Sequence, residues 1–174
     1  TGGSMYKFKW APILFAWVTT LTGCAQSIIL EKHGLYPAAN DTAYAQVYLL
    51  RPQAQRSRGV ADNPVNVEMG REKLTELAQG EYVLVHIKPG ETDVVARNLT
   101  YITAKPMPIE VWRARHFDFE AGHVYYILMR QDYEEFRGIY FVPEALDELQ
   151  ARQLAGQMSA VGALAKKHPI ASAQ

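Results

Sequence analysis

The chain has 174 residues, with 18 basic and 18 acidic side chains, 48% hydrophobic residues and one cysteine. This is a length for one domain with a core of ordinary size, and the charge balance supplies no broad basic field of the kind that nucleic-acid binders carry. A lone cysteine excludes an intramolecular disulfide, a Cys₂His₂ zinc site and a CxxC redox pair together.

The first elements read as an address. Thr1-Gly2-Gly3-Ser4 has the look of a cloning remnant, so the natural chain is expected to start at Met5. Lys7 and Lys9 then precede an uncharged run from Trp10 to Leu21, followed at once by Leu21-Thr22-Gly23-Cys24. Basic, apolar and small-residue regions in that order are the layout of a secretory signal, expected over residues 5–23. The run of about 12 apolar residues is short for a transmembrane helix, which needs about 20. Leu21, Thr22, Gly23 and Cys24 resemble the lipobox of bacterial lipoproteins. The resemblance implies that the Cys24 sulfur receives a diacylglyceryl group, that cleavage precedes Cys24 and that the new amino terminus is acylated, giving two or three chains and stable anchoring. Ala25 rather than Asp follows the cysteine, which in such lipoproteins implies the outer membrane, lipid-anchored, on its periplasmic side. Cleavage would leave 151 residues and remove two lysines, so the mature chain is mildly acidic.

Residues 24–43 hold one short apolar cluster, Ile28 to Leu30, then Gly34, Pro37, Asn40 and Asp41. This is a lipidated tether in pattern, spanning about 25 Å if flexible. Over 44–142 the signals become those of strands. Ala45 to Arg51 alternates with Ala45, Val47 and Leu49 on one face and ends at Pro52. After a polar loop, Val65 to Met69 and Lys73 to Leu77 flank Gly70 as a hairpin. Tyr82 to Ile87, Thr92 to Leu99, Ile109 to Arg115, His123 to Arg130 and Phe136 to Val142 complete the set, with Gly or Pro at the turns. Short strands without intervening helices predict a mainly β fold, an antiparallel β-sandwich of about seven to eight strands. A C-terminal α-helix is expected over 143–168, with Pro143 in its first turn and Leu146, Leu149, Leu154, Met158, Val161 and Leu164 along one stripe. It is rich in small residues, so another backbone can approach closely. That backbone is either this protein's own sheet or a partner.

The segments AQVYLLRP, Gly80-Glu81-Tyr82, Pro89-Gly90 and Gly122-His123-Val124-Tyr125-Tyr126 resemble a bacterial family of small lipoproteins built on a domain of unknown function, itself similar to PEGA-like and transthyretin-like β-sandwiches. The likeness covers residues 45 to 130 and departs from the family at Glu91-Thr92. It implies architecture and location and names no chemistry.

The mature chain has four serines, Ser27, Ser57, Ser159 and Ser172, none in a Gly-x-Ser-x-Gly elbow. Phosphate-cradling loops are absent, and no cofactor is indicated. In a strand, His116, Asp118 and Glu120 would share one face with His123 close behind, which could hold a metal. The same alternation also reads as polar side chains outward with Phe117 and Phe119 inward. Arg51, Arg56 and Arg58 surround one loop and are candidates for phosphate or acidic-partner contact. Trp112 is a partner-contact candidate if its sheet face meets solvent. The expected function is therefore a non-enzymatic binding or structural accessory subunit of a cell-envelope assembly, held to the membrane by lipid on Cys24, with envelope protein partners and no nucleic acid. The alternatives are a metal-assisted hydrolase using His116, Asp118, Glu120 and His123, or a lipid or glycan carrier with an apolar pocket between its sheets.

Overall fold

The computed structural model describes residues 43–53, 63–102 and 107–171. Cys24, its lipobox, the tether before residue 43, Arg56 and Arg58 lie outside the described residues. Nine strands and two short helices follow in order: β1 Ala45–Arg51, β2 Val65–Met69, β3 Glu72–Leu77, β4 Glu81–Ile87, β5 Gly90–Thr100, β6 Ile109–Phe119, β7 Val124–Glu134, β8 Gly138–Leu146, α1 Glu148–Ala155, β9 Ser159–Val161 and α2 Ala163–Lys167. They form a β-sandwich of two sheets, ordered β8-β7-β1-β4-β9 and β3-β2-β5-β6.

The period-2 alternation read from the sequence decides what lies between the sheets. Val47 and Leu49 of β1, Val65, Val67 and Met69 of β2, and Val94 and Ala96 of β5 point inward and pack as one core with Ile127, Met129 and Phe141. Each fully buried aliphatic side chain of this kind stabilises the fold by about 1.5–3 kcal/mol relative to exposure.

The expected all-antiparallel pairing holds in the four-stranded sheet and not in the other. There β1 runs parallel to β7, with Tyr48 beside Tyr126, and β4 runs parallel to β9. The cause is topological: β5 and β6 both pair in the opposite sheet, so the chain returns to β1 in β1's own direction.

The single helix expected over 143–168 is also corrected. Pro143 lies in β8, opposite Met129. A proline is tolerated there because β8 is the edge of its sheet and needs no outward donor. The helix begins only at Asp147, whose side chain accepts from Gln150 N while the Gln150 side chain accepts from Asp147 N, a reciprocal cap. Gly156 ends α1. The chain then adds β9 beside β4, where Ser159 N donates to Gly80 O at 2.7 Å.

This C-terminal segment covers the outer face of the five-stranded sheet in cis. The covered helix face is Ala151 and Ala155, one turn apart, with Ala165 behind them, whereas Leu149 of the expected apolar stripe is 62% exposed. Ala151 and Ala155 of α1 and Ala165 of α2 are buried in one cluster with Tyr48, Leu50, Tyr82 and Leu84. Tyr48 stacks on Tyr126 at 5.3 Å between centroids and donates from its hydroxyl to His168 O at 2.9 Å. Burial, followed by the neighbouring Tyr126 and Tyr82, pushes the Tyr48 phenol up to about 12.

Two seams join the sheets. Arg51, 1% exposed, donates from Nη1 to Leu77 O at 2.6 Å and places its guanidinium 4.9 Å from the Phe141 ring centre. At the end of β5, Asn98 Nδ2 donates to Ile139 O at 2.9 Å, and Ile139 N donates to Thr100 Oγ1 at 2.9 Å. These two side chains supply β8's edge with partners that no further strand provides. Gly138, with φ 69°, makes that approach possible, since a Cβ there would lie 2.4 Å from Thr100 Oγ1 and 2.8 Å from Tyr101 O. Replacement Gly138→Ala is therefore expected to cost more than about 2 kcal/mol, from strained φ and lost seam bonds combined. Urea unfolding monitored by circular dichroism measures this, and a cost below about 0.5 kcal/mol would show that the seam is not tight.

Candidate interaction surface

The turns sort the sandwich into two ends. The chain enters at Tyr44, whose carbonyl accepts from Gly122 N at 2.9 Å, beside the β4–β5 and β6–β7 turns. At the opposite end lie the β5–β6 connection, where Thr100 faces Ile109, and the β7–β8 turn, where Glu134 faces Gly138. Eleven residues of β5 separate the ends, about 35 Å.

Exposed apolar surface gathers at that far end. Of the eight exposed large hydrophobic side chains among the described residues, six lie there: Phe136 at 81%, Met107 at 71%, Trp112 at 55%, Tyr133 at 53%, Tyr101 at 50% and Leu99 at 46%. The seam explains their grouping. By holding Gly138 against Thr100 and Tyr101, it sets the β7–β8 turn beside the β5–β6 connection. On the outer sheet face, Leu99 and Trp112 are diagonal neighbours, because Leu99 pairs with Glu110 and Arg97 with Trp112. The cluster thus wraps from the end of the sandwich onto the outer face of its four-stranded sheet.

Charges around the cluster are closed on one another. Glu134 Oε1 accepts from the Tyr140 hydroxyl at 2.7 Å, and Glu134 lies 3.2 Å from Arg137 and 3.9 Å from Arg113. The Arg113 guanidinium also sits 4.2 Å from the Tyr140 ring centre. On the sheet face, Arg97 reaches Glu68 at 3.0 Å and Glu110 at 2.9 Å.

Trp112, whose sheet face the sequence left open, is exposed on the outer face of the four-stranded sheet. The other expected contacts are rearranged. Arg51 is not available to a phosphate or acidic partner at the surface, because it shares the inward parity of Val47 and Leu49 and is spent on the seam. The four candidate metal ligands are divided. His116 and Asp118 lie outward on β6, which ends at Phe119, so Glu120 and His123 belong to the following turn. His116 Nδ1 instead meets Asp93 Oδ1 of β5 at 3.0 Å, with Glu91 at 3.7 Å, and His123 Nδ1 lies 3.2 Å from Ala121 O. No group of three or more His, Cys, Asp or Glu among the described residues is placed to hold a metal. Phe117 and Phe119 stack at 5.9 Å on the inner side, the arrangement of polar outward and aromatic inward.

A cavity of about 460 Å³ opens between Pro52, Gln53 and the Gln150, Gln153 and Gln157 side of α1. Sequence reasoning did not find Phe136, Met107, Tyr101, Tyr133 and Leu99. Phe136 was expected to open a strand. The signal that could have found it is Arg137-Gly138, since a glycine there sets the turn one step later and leaves Phe136 at its tip.

Comparison with known proteins places the chain. Residues 41–140 match the family model described as Protein of unknown function (DUF2846). The chain belongs to this family. Comparisons with curated proteins and with solved structures give no match. The matched segment runs from just before β1 to the third residue of β8 and stops short of α1.

The His116 contact yields a direct check. The hydrogen bond that the imidazole donates to Asp93 Oδ1, with the charges of Asp93 and Glu91, holds it above its ordinary 6.5. The stabilisation is present below the unfolded-state value and is lost as pH rises through the folded one. An NMR titration is expected to place the His116 midpoint above 6.5, and Asp93→Asn to lower it. An unchanged midpoint in that variant would refute the assigned cause.

Proposed function

We propose that the chain is a bacterial lipoprotein, anchored through Cys24 on the periplasmic side of the outer membrane, whose sandwich, of the PEGA-like or transthyretin-like kind, works by binding. It serves as a non-enzymatic accessory or structural subunit of an envelope assembly. The observation that carries the binding part is the asymmetry of the molecule. One outer sheet face is covered by the chain's own C-terminal segment, while six large apolar side chains gather at the end opposite the chain's entry. Exposed apolar surface is costly to maintain in water and is characteristic of interaction sites.

The two parts reinforce each other. A lipid at the amino terminus tethers the Tyr44 end, so the apolar end, about 35 Å away, projects from the bilayer toward neighbours on the same surface. Confinement there raises the effective concentration for a partner and relaxes the affinity that the interface must supply. The mixed and internally paired charges suit a protein neighbour better than a polyanion.

Replacing Cys24→Ala is expected to move the protein from the membrane pellet to the soluble periplasmic fraction, and unchanged fractionation would refute the anchor. A photo-crosslinking amino acid at Trp112 in intact cells is expected to capture a protein, while the same probe at Glu91, toward the entry end, captures far less. Equal yields at both positions, or none at either, would end the binding reading.

A further inference from the structure

We infer that the free edge of β6 is a docking line, on which an extended segment of another protein, acidic at one inward position and apolar beside it, adds as a further strand. This rests on the reading above that the protein works by binding, and it names the line of contact and the kind of segment. A sheet edge leaves a row of backbone N–H and C=O groups unpaired, and native proteins blunt such rows because another extended chain can join them. The two sheets end in four edges, β8, β9, β3 and β6. Three are blunted. β9 has only three residues. β3 carries Glu72, Lys73 and Glu76, and its pairing with β2 is broken by a register shift at Val67 and Glu68. β8 contains Pro143, and the N–H and C=O of its Ile139 are already met by Thr100 and Asn98.

β6 has none of these devices. Its eleven residues, all described, contain no proline or lysine and pair with β5 in one unbroken register. Among the described residues, no backbone pairs with its other side. In an antiparallel edge strand every second residue turns both N–H and C=O outward, so about five residues of β6 offer both groups to a neighbour.

The side chains choose the occupant. Val111, Arg113, Arg115 and Phe117 share the inward parity of β6, with Phe119 buried in the core. Arg113 is answered from β7 and β8 by Glu134 and the Tyr140 ring. Arg115 is exposed and makes no ion pair or side-chain hydrogen bond among the described residues. A residue directly opposite it on an added strand has its Cβ about 5 Å away on the same face, so an acidic side chain there meets the guanidinium. Apolar side chains opposite the half-buried Val111 and Phe117 extend the core.

The same rule disfavours a second copy. Every antiparallel pairing of β6 with itself that engages nine or more residues sets Arg113 or Arg115 opposite itself or opposite the other. The fullest of these registers also sets Glu110 opposite Asp118. Like charges directly opposite are destabilising, so the edge discriminates against its own copy and in favour of an acidic strand.

The test uses the full chain extracted from membranes in mild detergent. The probe is a capped nine-residue peptide that alternates valine and threonine, with glutamate in place of the central valine. A control peptide carries lysine at the centre. The glutamate peptide is expected to slow amide hydrogen exchange in β6 alone among the four edges, and to bind about fivefold more tightly than the control, the effect of exchanging a repulsive cross-strand pair for an attractive one. Arg115→Glu is expected to reverse that preference. Arg115 is exposed, and circular dichroism checks that the variant folds. Unchanged exchange in β6, protection at another edge, or equal affinity for the two peptides would overturn the inference. So would β6 amides already protected without peptide in a species of twice the monomer mass, which would make a second copy the occupant. A protein crosslinked at Trp112 in cells, with β6 exchange unaffected by the peptide, would keep the binding function and overturn the added strand.

Discussion

The contact of Gly138 with Thr100 and Tyr101 is the constraint on which the far end of the molecule depends. Two sheets stacked face to face leave β8 as an edge, with backbone groups that would otherwise face water or another chain. Asn98 and Thr100 answer one residue of that edge, Ile139, from the opposite sheet. Each bond contributes about 1 kcal/mol net, a modest amount, yet the pair fixes where the β7–β8 turn sits. Because the turn sits there, Gly138 lies against Thr100 and the Tyr101 carbonyl. Arg113 completes the arrangement by bridging from β6 to Tyr140 and Glu134.

Arg51 makes a second tie between the sheets, from the central strand β1. Burying a guanidinium is expensive unless its donors are met, and its placement over Phe141 with Nη1 on the Leu77 carbonyl uses both its charge and its plane. The two outer faces differ. One takes the small-residue helix, whose alanines allow a close fit over three tyrosines, and the other carries paired charges and Trp112. This division leaves the protein with one outer face covered by its own C-terminal segment and one exposed.

Much of the architecture was legible in alternation. Ala45, Val47 and Leu49 announced an inward face, and by the same parity Arg51 was already marked as buried, although its loop context suggested a surface contact. The His116 to Glu120 run divided similarly. Its polar-out, aromatic-in reading needed only the strand to continue to Phe119, whereas a metal site needed Glu120 and His123 to come back onto the same face. The helix stripe misled because periodicity reports which residues share a face and not how closely that face approaches its neighbour. Against aromatic rings the alanine face fits, and Leu149 is left in water.

By itself the sequence determined the local: strands with period 2 and turns at glycine and proline. Those follow from residue type and short-range spacing. Only the tertiary structure decided which strands pair in parallel, which face the C-terminal segment covers, and that side chains as distant in sequence as Leu99 and Phe136 share one end. The physical reason is that these depend on contacts between sheets, set by Gly138, Asn98 and Thr100 across about forty residues of chain. No local pattern encodes them.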